Sequence, residues 1–169
     1  MLLAFELSGE HPTLPKAEAL SALRALGVKL KEKFLLENFL VVECLGSTPT
    51  QTLAERLAMT HSLMSVVGTC EAEEEKILKI VGEAKLTLRK SASFCVRVRQ
   101  HKKIFREPEK VLGELIERIG YRVNLRAPDA TFHIIISDRC LFGLHLADIE
   151  KSQYEKRRPQ YRPFFVPGV

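Results

Sequence analysis

Apolar and polar positions alternate along LLAFELS (2–8), the period of a half-buried strand. From Pro15 to Leu26 the spacing changes. Leu20, Leu23 and Leu26 recur at helical intervals with alanines between them, and Gly27 stands where a helix is closed. VKLKEKFLLE and FLVVECL read as two strands about a Glu37-Asn38 turn. Lys29, Lys31 and Lys33 alternate with Val28 and Leu30, which puts one face in water. After GSTPT, Thr50 or Thr52 is placed to cap a helix through Met59, and SLMSVVGTC reads as one more strand. The predicted order is βαββαβ, the ferredoxin-like arrangement.

The pattern then starts again. EAEEEKILKIVGEA (71–84) predicts a helix whose first-turn acids suit the helix dipole. SFCVRVRQ alternates Phe94, Val96 and Val98 with Cys95, Arg97 and Arg99, a strand with one apolar and one basic face. Pro108 opens a second helix, which Gly120 ends. YRVNLRAPD is extended and closes on a Pro-Asp turn. TFHIIIS and CLFGLHLADI are nearly continuous apolar runs, as expected of strands buried on both faces. These elements make an α/β layer of about 80 residues.

Charge divides the chain the same way. Residues 1–80 hold eight Lys/Arg against eleven Glu, a net of −3; residues 81–169 hold eighteen against ten acids, a net of +8. An acidic half joined to a basic half predicts two modules, the second facing a polyanion. The hydrophobic share of 46% is enough for a core without staples. No apolar run approaches the ~20 residues of a membrane span. Glu6 and the absence of a basic start make the N-terminus a poor signal peptide, so a cytoplasmic protein is expected.

Few catalytic chemistries have a footing. There is no G-x-G-x-x-G, no G-x-x-x-x-G-K-[ST] and no G-x-S-x-G. His11, His61, His101, His133 and His145 fall in no metal-ligand spacing; His133 and His145 read as sheet histidines. Cys44, Cys70, Cys95 and Cys140 form no C-x-x-C pair, and small buried hydrophobes are the favoured reading. A disulfide is the alternative. Two Asn and four Gln beside many Lys and Glu point to a thermophile, where intracellular disulfides occur. No catalytic residue and no metal site is assigned.

What remains is basic. Lys85, Arg89, Lys90, Arg97, Arg99, Lys102, Lys103 and Arg106 form a run without a single acid. A second group follows at Lys151, Lys156, Arg157, Arg158 and Arg162, with Tyr154, Tyr161, Phe164 and Phe165 among them. Lys and Arg neutralise phosphates, and aromatic rings stack on unpaired bases. A surface kept charged for solubility is the bland alternative, but two runs in one half favour nucleic acid. Arg97 and Arg99 are the sharper candidates because a strand fixes their direction, with Lys102 and Lys103 next.

The second half resembles the THUMP domain. Phe94-Cys95-Val96-Arg97, Gly120, Val123-Asn124-Leu125, Pro128-Asp129 and Gly143 fit its pattern, with Asn124 where Asp is commoner. The segment KRRPQYRPFFVPG is similar to the linker of archaeal tRNA guanine-N2 methyltransferases acting at position ten, through Arg158-Pro159, Arg162-Pro163-Phe164 and Pro167-Gly168. The resemblance implies an α+β fold: a ferredoxin-like module over 1–70, an α/β THUMP domain over 71–150, and a basic linker over 151–169. It implies a tRNA-binding unit that holds the acceptor stem and 3′ end, expected as a monomer. The charge pattern makes Lys85, Arg89, Lys90, Arg97, Arg99, Lys102, Lys103, Arg106, Arg157, Arg158 and Arg162 the expected RNA-binding residues. Methyl transfer from S-adenosylmethionine would belong to a further domain, because that domain's Gly-rich loop and D-P-P-Y motif are not in these residues, which need no cofactor themselves. The same unit of a 4-thiouridine synthetase, a stand-alone THUMP adaptor and a protein-interaction module with no RNA role are the alternatives.

Overall fold

The computed structural model describes residues 1–150 apart from Thr87, Lys90 and Ser91. Strand β1 (Leu2–Leu7), helix α1 (Leu14–Ala25), strands β2 (Lys29–Leu36) and β3 (Phe39–Leu45), helix α2 (Thr50–Arg56) and strand β4 (Thr60–Glu71) come first. Helix α3 (Glu74–Gly82), strand β5 (Ser93–Gln100), helix α4 (Pro108–Arg118) and strands β6 (Arg122–Val123), β7 (Ala130–Ile136) and β8 (Arg139–Asp148) follow. The fold is α+β, with a ferredoxin-like first half. None of the described helices is long and apolar enough to cross a membrane.

The eight strands among the described residues belong to one sheet, in the order β2-β3-β1-β4-β8-β7-β5-β6. The first four are antiparallel in ferredoxin-like order. Strand β5 runs parallel to β6 and β7, and β7 is antiparallel to β8. Strand β4 pairs with β1 on one side and β8 on the other, so the ladder continues through residue 70.

All four helices lie on one face. Helices α1 and α2 bury Ala19, Leu23 and Leu53 against Leu3, Phe5, Val42 and Leu63. Helices α3 and α4 bury Ile77, Val81, Leu112 and Ile116 against Phe94, Val96, Phe132 and Phe142. Register shows that these clusters share a face: Phe5 lies opposite Leu63, Ser65 opposite Leu144, and Leu144 opposite Phe132. Gly68 leaves room for the Ile80 side chain of α3, since a Cβ there would lie 2.5 Å from Ile80 Cδ1. Thr50 begins α2 rather than capping it; Pro49 holds the cap position, no side chain caps the end, and the helix stops at Arg56.

The helix-free face is curled rather than open. Ala4, Phe39, Val41, Met64, Ile135 and Leu141 form a third buried cluster there. Strand β5 is four places from β1, which in a flat sheet is roughly 19 Å. Yet Arg99 of β5 donates a hydrogen bond to Glu6 of β1. Ser137 bonds Glu37 in the β2–β3 turn, and the Arg139 guanidinium lies 5.3 Å from the centre of the Phe34 ring. Sheet twist therefore brings the β2–β3 hairpin onto the β7–β8 hairpin.

Candidate nucleic-acid interface

The basic run 85–106 does not form one patch. Lys85 and Arg89 precede β5, Arg97 and Arg99 lie on it, and Lys102, Lys103 and Arg106 follow it. The seven steps from Ser93 to Gln100 span about 23 Å at a strand's rise. The run is thus split between the two ends of β5. All seven side chains are exposed. Lys90, Arg157, Arg158 and Arg162 lie outside the described residues.

The end beyond Gln100 is a tight loop. Gln100 Oε1 accepts hydrogen bonds from the backbone N–H groups of Ile104 and Phe105, and its Nε2 donates to the Phe105 carbonyl. Phe105 is buried under the loop. This clasp presents Lys102, Lys103 and Arg106 together at the solvent edge. Lys102 Nζ reaches the Ala72 carbonyl at 3.5 Å, whereas no described residue pairs with Lys103 or Arg106.

At the opposite end, Arg122, Asn124, Ser93 and Asp129 line a polar cleft of about 460 Å³. Asp129 accepts hydrogen bonds from the Ser93 hydroxyl at 2.6 Å and the Ser93 N–H at 2.7 Å. These bonds, with a contribution from Arg89, hold its carboxyl below the usual carboxylate range. Arg118, Arg122 and Arg126 are exposed on α4, β6 and the β6–β7 connection. Sequence reasoning passed over these three. Their signal was the four-residue spacing between Arg118, Arg122 and Arg126, with no acid until Asp129.

Arg97 and Arg99 separate. Arg97 rims a groove of about 370 Å³ between β5 and α4, floored by Phe94, Val96, Val123 and Leu125. Arg99 is engaged internally instead: it pairs with Glu6 and lies 5.8 Å from the Phe39 ring centre. Glu6 is 8% exposed and also accepts a 2.7 Å bond from Ser62. Burial alone would raise the Glu6 carboxyl, but the bonds from Ser62 and Arg99 and the Arg99 charge outweigh it and hold the group low.

Two histidines share this face. The His133 and His145 rings lie 5.5 Å apart, and His145 Nε2 is 3.5 Å from Asp148. Burial pushes the His133 pKa below its ordinary 6.5, and His145 and Arg99 push the same way, against weaker pulls from Glu6 and Asp148. A lowered histidine pKa means the unfolded chain takes the proton first. Stability is therefore expected to fall as the pH drops below about 6.5. Denaturant unfolding between pH 7.5 and 5 should show this slope, and His133→Gln should flatten it. An unchanged slope in that variant would assign the acid sensitivity to another group. Glu6 acts in a separate, more acidic window.

No family model matches the chain. A tRNA (guanine(10)-N2)-dimethyltransferase of Methanothermobacter thermautotrophicus is 32% identical over 167 residues, covering 96% of this chain and 48% of that protein. One from Pyrococcus abyssi is 24% identical, again over 96% of this chain and 48% of the relative. The chain spans about half the length of the curated relatives it matches. Among solved structures, TrmN from Thermus thermophilus superposes with a TM-score of 0.62 at 21% identity, over 90% of this chain and 48% of that one. A 4-thiouridine synthetase in complex with RNA gives 0.56 at 19% identity, over 85% and 40%.

The chain is homologous to part of the archaeal tRNA (guanine(10)-N2)-dimethyltransferases, and its fold matches that of THUMP-domain proteins.

In the second half of the chain, the residues that carry the THUMP resemblance have structural partners. Asn124 Oδ1 accepts the backbone N–H groups of Arg126 and Ala127, and its Nδ2 donates to the Ala127 carbonyl. Asp129 ties the following strand to Ser93 at the start of β5. Gly143 lets β8 approach β4: a Cβ there would lie 3.3 Å from Met64 Cβ and from the Ser65 carbonyl oxygen. Asn124 and Asp129 shape the β5–β6 edge from which Arg122 and Arg126 project.

Proposed function

We propose that the chain is the tRNA-holding unit of an S-adenosylmethionine-dependent tRNA guanine-N2-methyltransferase. Similarity to the position-ten dimethyltransferases along nearly the whole chain carries this reading. The unit grips the acceptor stem and 3′ end, and a separate domain performs methyl transfer. Lys85, Arg89, Arg122 and Arg126 contact phosphates at one end of β5, and Lys102, Lys103 and Arg106 at the other. Such contacts suit duplex RNA, which proteins recognise by shape and backbone more than by sequence. Arg97 completes the surface between them, and Arg99 stays with Glu6. A 4-thiouridine synthetase unit is the second reading, favoured by the shared fold with the RNA-bound synthetase.

The test is a salt titration of tRNA affinity. The logarithm of affinity should fall linearly with the logarithm of salt, losing up to about 0.9 in slope for each phosphate contact removed. The triple variant Lys102→Ala, Lys103→Ala, Arg106→Ala should bind at least roughly tenfold more weakly at low salt, with a slope shallower by about 2–3. Trimming the unpaired 3′ nucleotides should weaken binding further. Wild-type affinity in a triple variant that melts normally would remove this end of β5 from the RNA surface.

A further inference from the structure

Four cysteines lie in the one sheet, and only two of them face each other. Cys70 of β4 and Cys140 of β8 are directly opposed in the antiparallel ladder. Cys95 is opposed by Thr131, with Sγ 3.5 Å from the Thr131 hydroxyl, and Cys44 lies under α1 and α2 opposite Leu30. All four are free thiols.

The opposition depends on a register shift. Val66 faces Gly143, but Gly68 faces Phe142, so one extra residue enters β4 between them. Continued from Val66 without that shift, the ladder would place Arg139 opposite Cys70. With it, both cysteines turn to the helix-covered face, where they join one apolar cluster. Directly opposed residues carry their Cβ atoms about 4.5–5.5 Å apart, and a disulfide needs roughly 3.5–4.5 Å. The pair sits next to the last rung of the ladder, where Glu71 meets Arg139, so a small adjustment of the strand ends closes the gap.

We propose that Cys70 and Cys140 are a thiol–disulfide pair whose oxidation staples β4 to β8. The two thiols differ in access. Cys140 is 1% exposed, while Cys70 is half-buried. Burial raises both thiols, Cys140 much further; at Cys70 the hydrogen bond with Cys140, and then the Lys76 charge, offset part of the rise. Cys70 is therefore the entry thiol and Cys140 the resolving one, because the thiolate is the attacking form.

With oxidised glutathione as the oxidant, the steps balance. The Cys70 thiolate attacks one glutathione sulfur, forms a mixed disulfide and releases one glutathione thiolate. Cys140 gives its proton to water and attacks Cys70 Sγ, expelling the second glutathione thiolate. Two protein thiols are oxidised and one glutathione disulfide becomes two thiols.

The bond would sit on the seam where the four ferredoxin-like strands meet the last four strands of the sheet. It would close a loop of about 70 residues containing α3, β5, α4, β6 and β7. Cross-links that close long loops constrain the unfolded chain most. For a protein of this size a typical bridge corresponds to a rise in melting temperature of roughly 4–16 °C.

The protein is equilibrated with oxidised glutathione, its remaining thiols are alkylated, and it is digested without reduction. The expected result is a single linked peptide pair containing Cys70 and Cys140, a higher melting temperature, and reversal of both by dithiothreitol. In Cys140→Ser, glutathione should instead remain on Cys70. The proposal is overturned if wild-type Cys70 stays as a glutathione adduct, if no thiol is lost, or if the link uses Cys44 or Cys95. It is equally overturned if the linked protein melts no higher than the reduced one. The wild-type measurements decide the matter even if Cys140→Ser fails to fold.

Discussion

An alanine in place of Phe132 is expected to cost roughly 3–5 kcal/mol, the range for emptying a well-packed aromatic site. Phe132 is fully buried on β7, with its ring centre 6.1 Å from that of Phe94 and 5.5 Å from that of Phe142. These three rings cover the sheet beneath α3 and α4 and bridge β5, β7 and β8. Collapse around the vacancy is limited, because Phe94 and Phe142 sit on strands whose spacing the ladder holds. Urea denaturation followed by circular dichroism measures the loss. A drop below about 1.5 kcal/mol would show that α3 and α4 move in to fill the space. The shape of the transition matters as much. Strand β4 belongs to both halves of the sheet, so the variant should still unfold in one transition. Two separated transitions would mean that the halves melt independently.

That shared strand marks where the sequence stops being legible. Elements written in local periodicity were readable: the α1 leucines, the β2 lysine alternation, Pro108 opening α4, and Gly120 just beyond its end with φ 106°. The ferredoxin-like order followed from those elements alone. Relations between distant residues were not readable. Glu6 and Arg99 are 93 positions apart and meet only because the sheet curls. The extra residue in β4 that opposes Cys70 to Cys140 is marked in VVGTC only by Gly68, and a strand glycine does not tell which residues it brings opposite each other. The extended segment YRVNLRAPD contributes only the two residues of β6 to the ladder, because Asn124 folds the chain into a side-chain-bonded turn. The basic run was legible as charge but not as a surface, since a strand's length separates its two ends.

Removing the Arg99 guanidinium should act on the fold rather than on RNA binding. Arg99→Ala is expected to cost roughly 1–3 kcal/mol, the penalty for leaving a buried charged acceptor with one partner. The lower half of that range is favoured, since the Arg99 side chain is 50% exposed and water screens the pair. Glu6→Gln removes the charge and keeps the shape, and adding Arg99→Ala to it should cost less than Arg99→Ala alone. A double-mutant cycle by chemical denaturation reads this coupling directly. The acid limb offers an independent check. The Glu6 pKa is lowered in the folded state, so its contribution is full above its ordinary value near 4.5 and is lost as pH falls through the lowered one. Glu6→Gln should therefore flatten the stability loss below about pH 4.5 while leaving the His133 window unchanged. In tRNA titrations, Arg99→Ala should keep the wild-type salt slope, in contrast to the Lys102, Lys103 and Arg106 triple variant. A shallower slope with unchanged stability would return Arg99 to the RNA surface and leave the curl of the sheet to its apolar cluster, where Phe39 and Ile135 already meet.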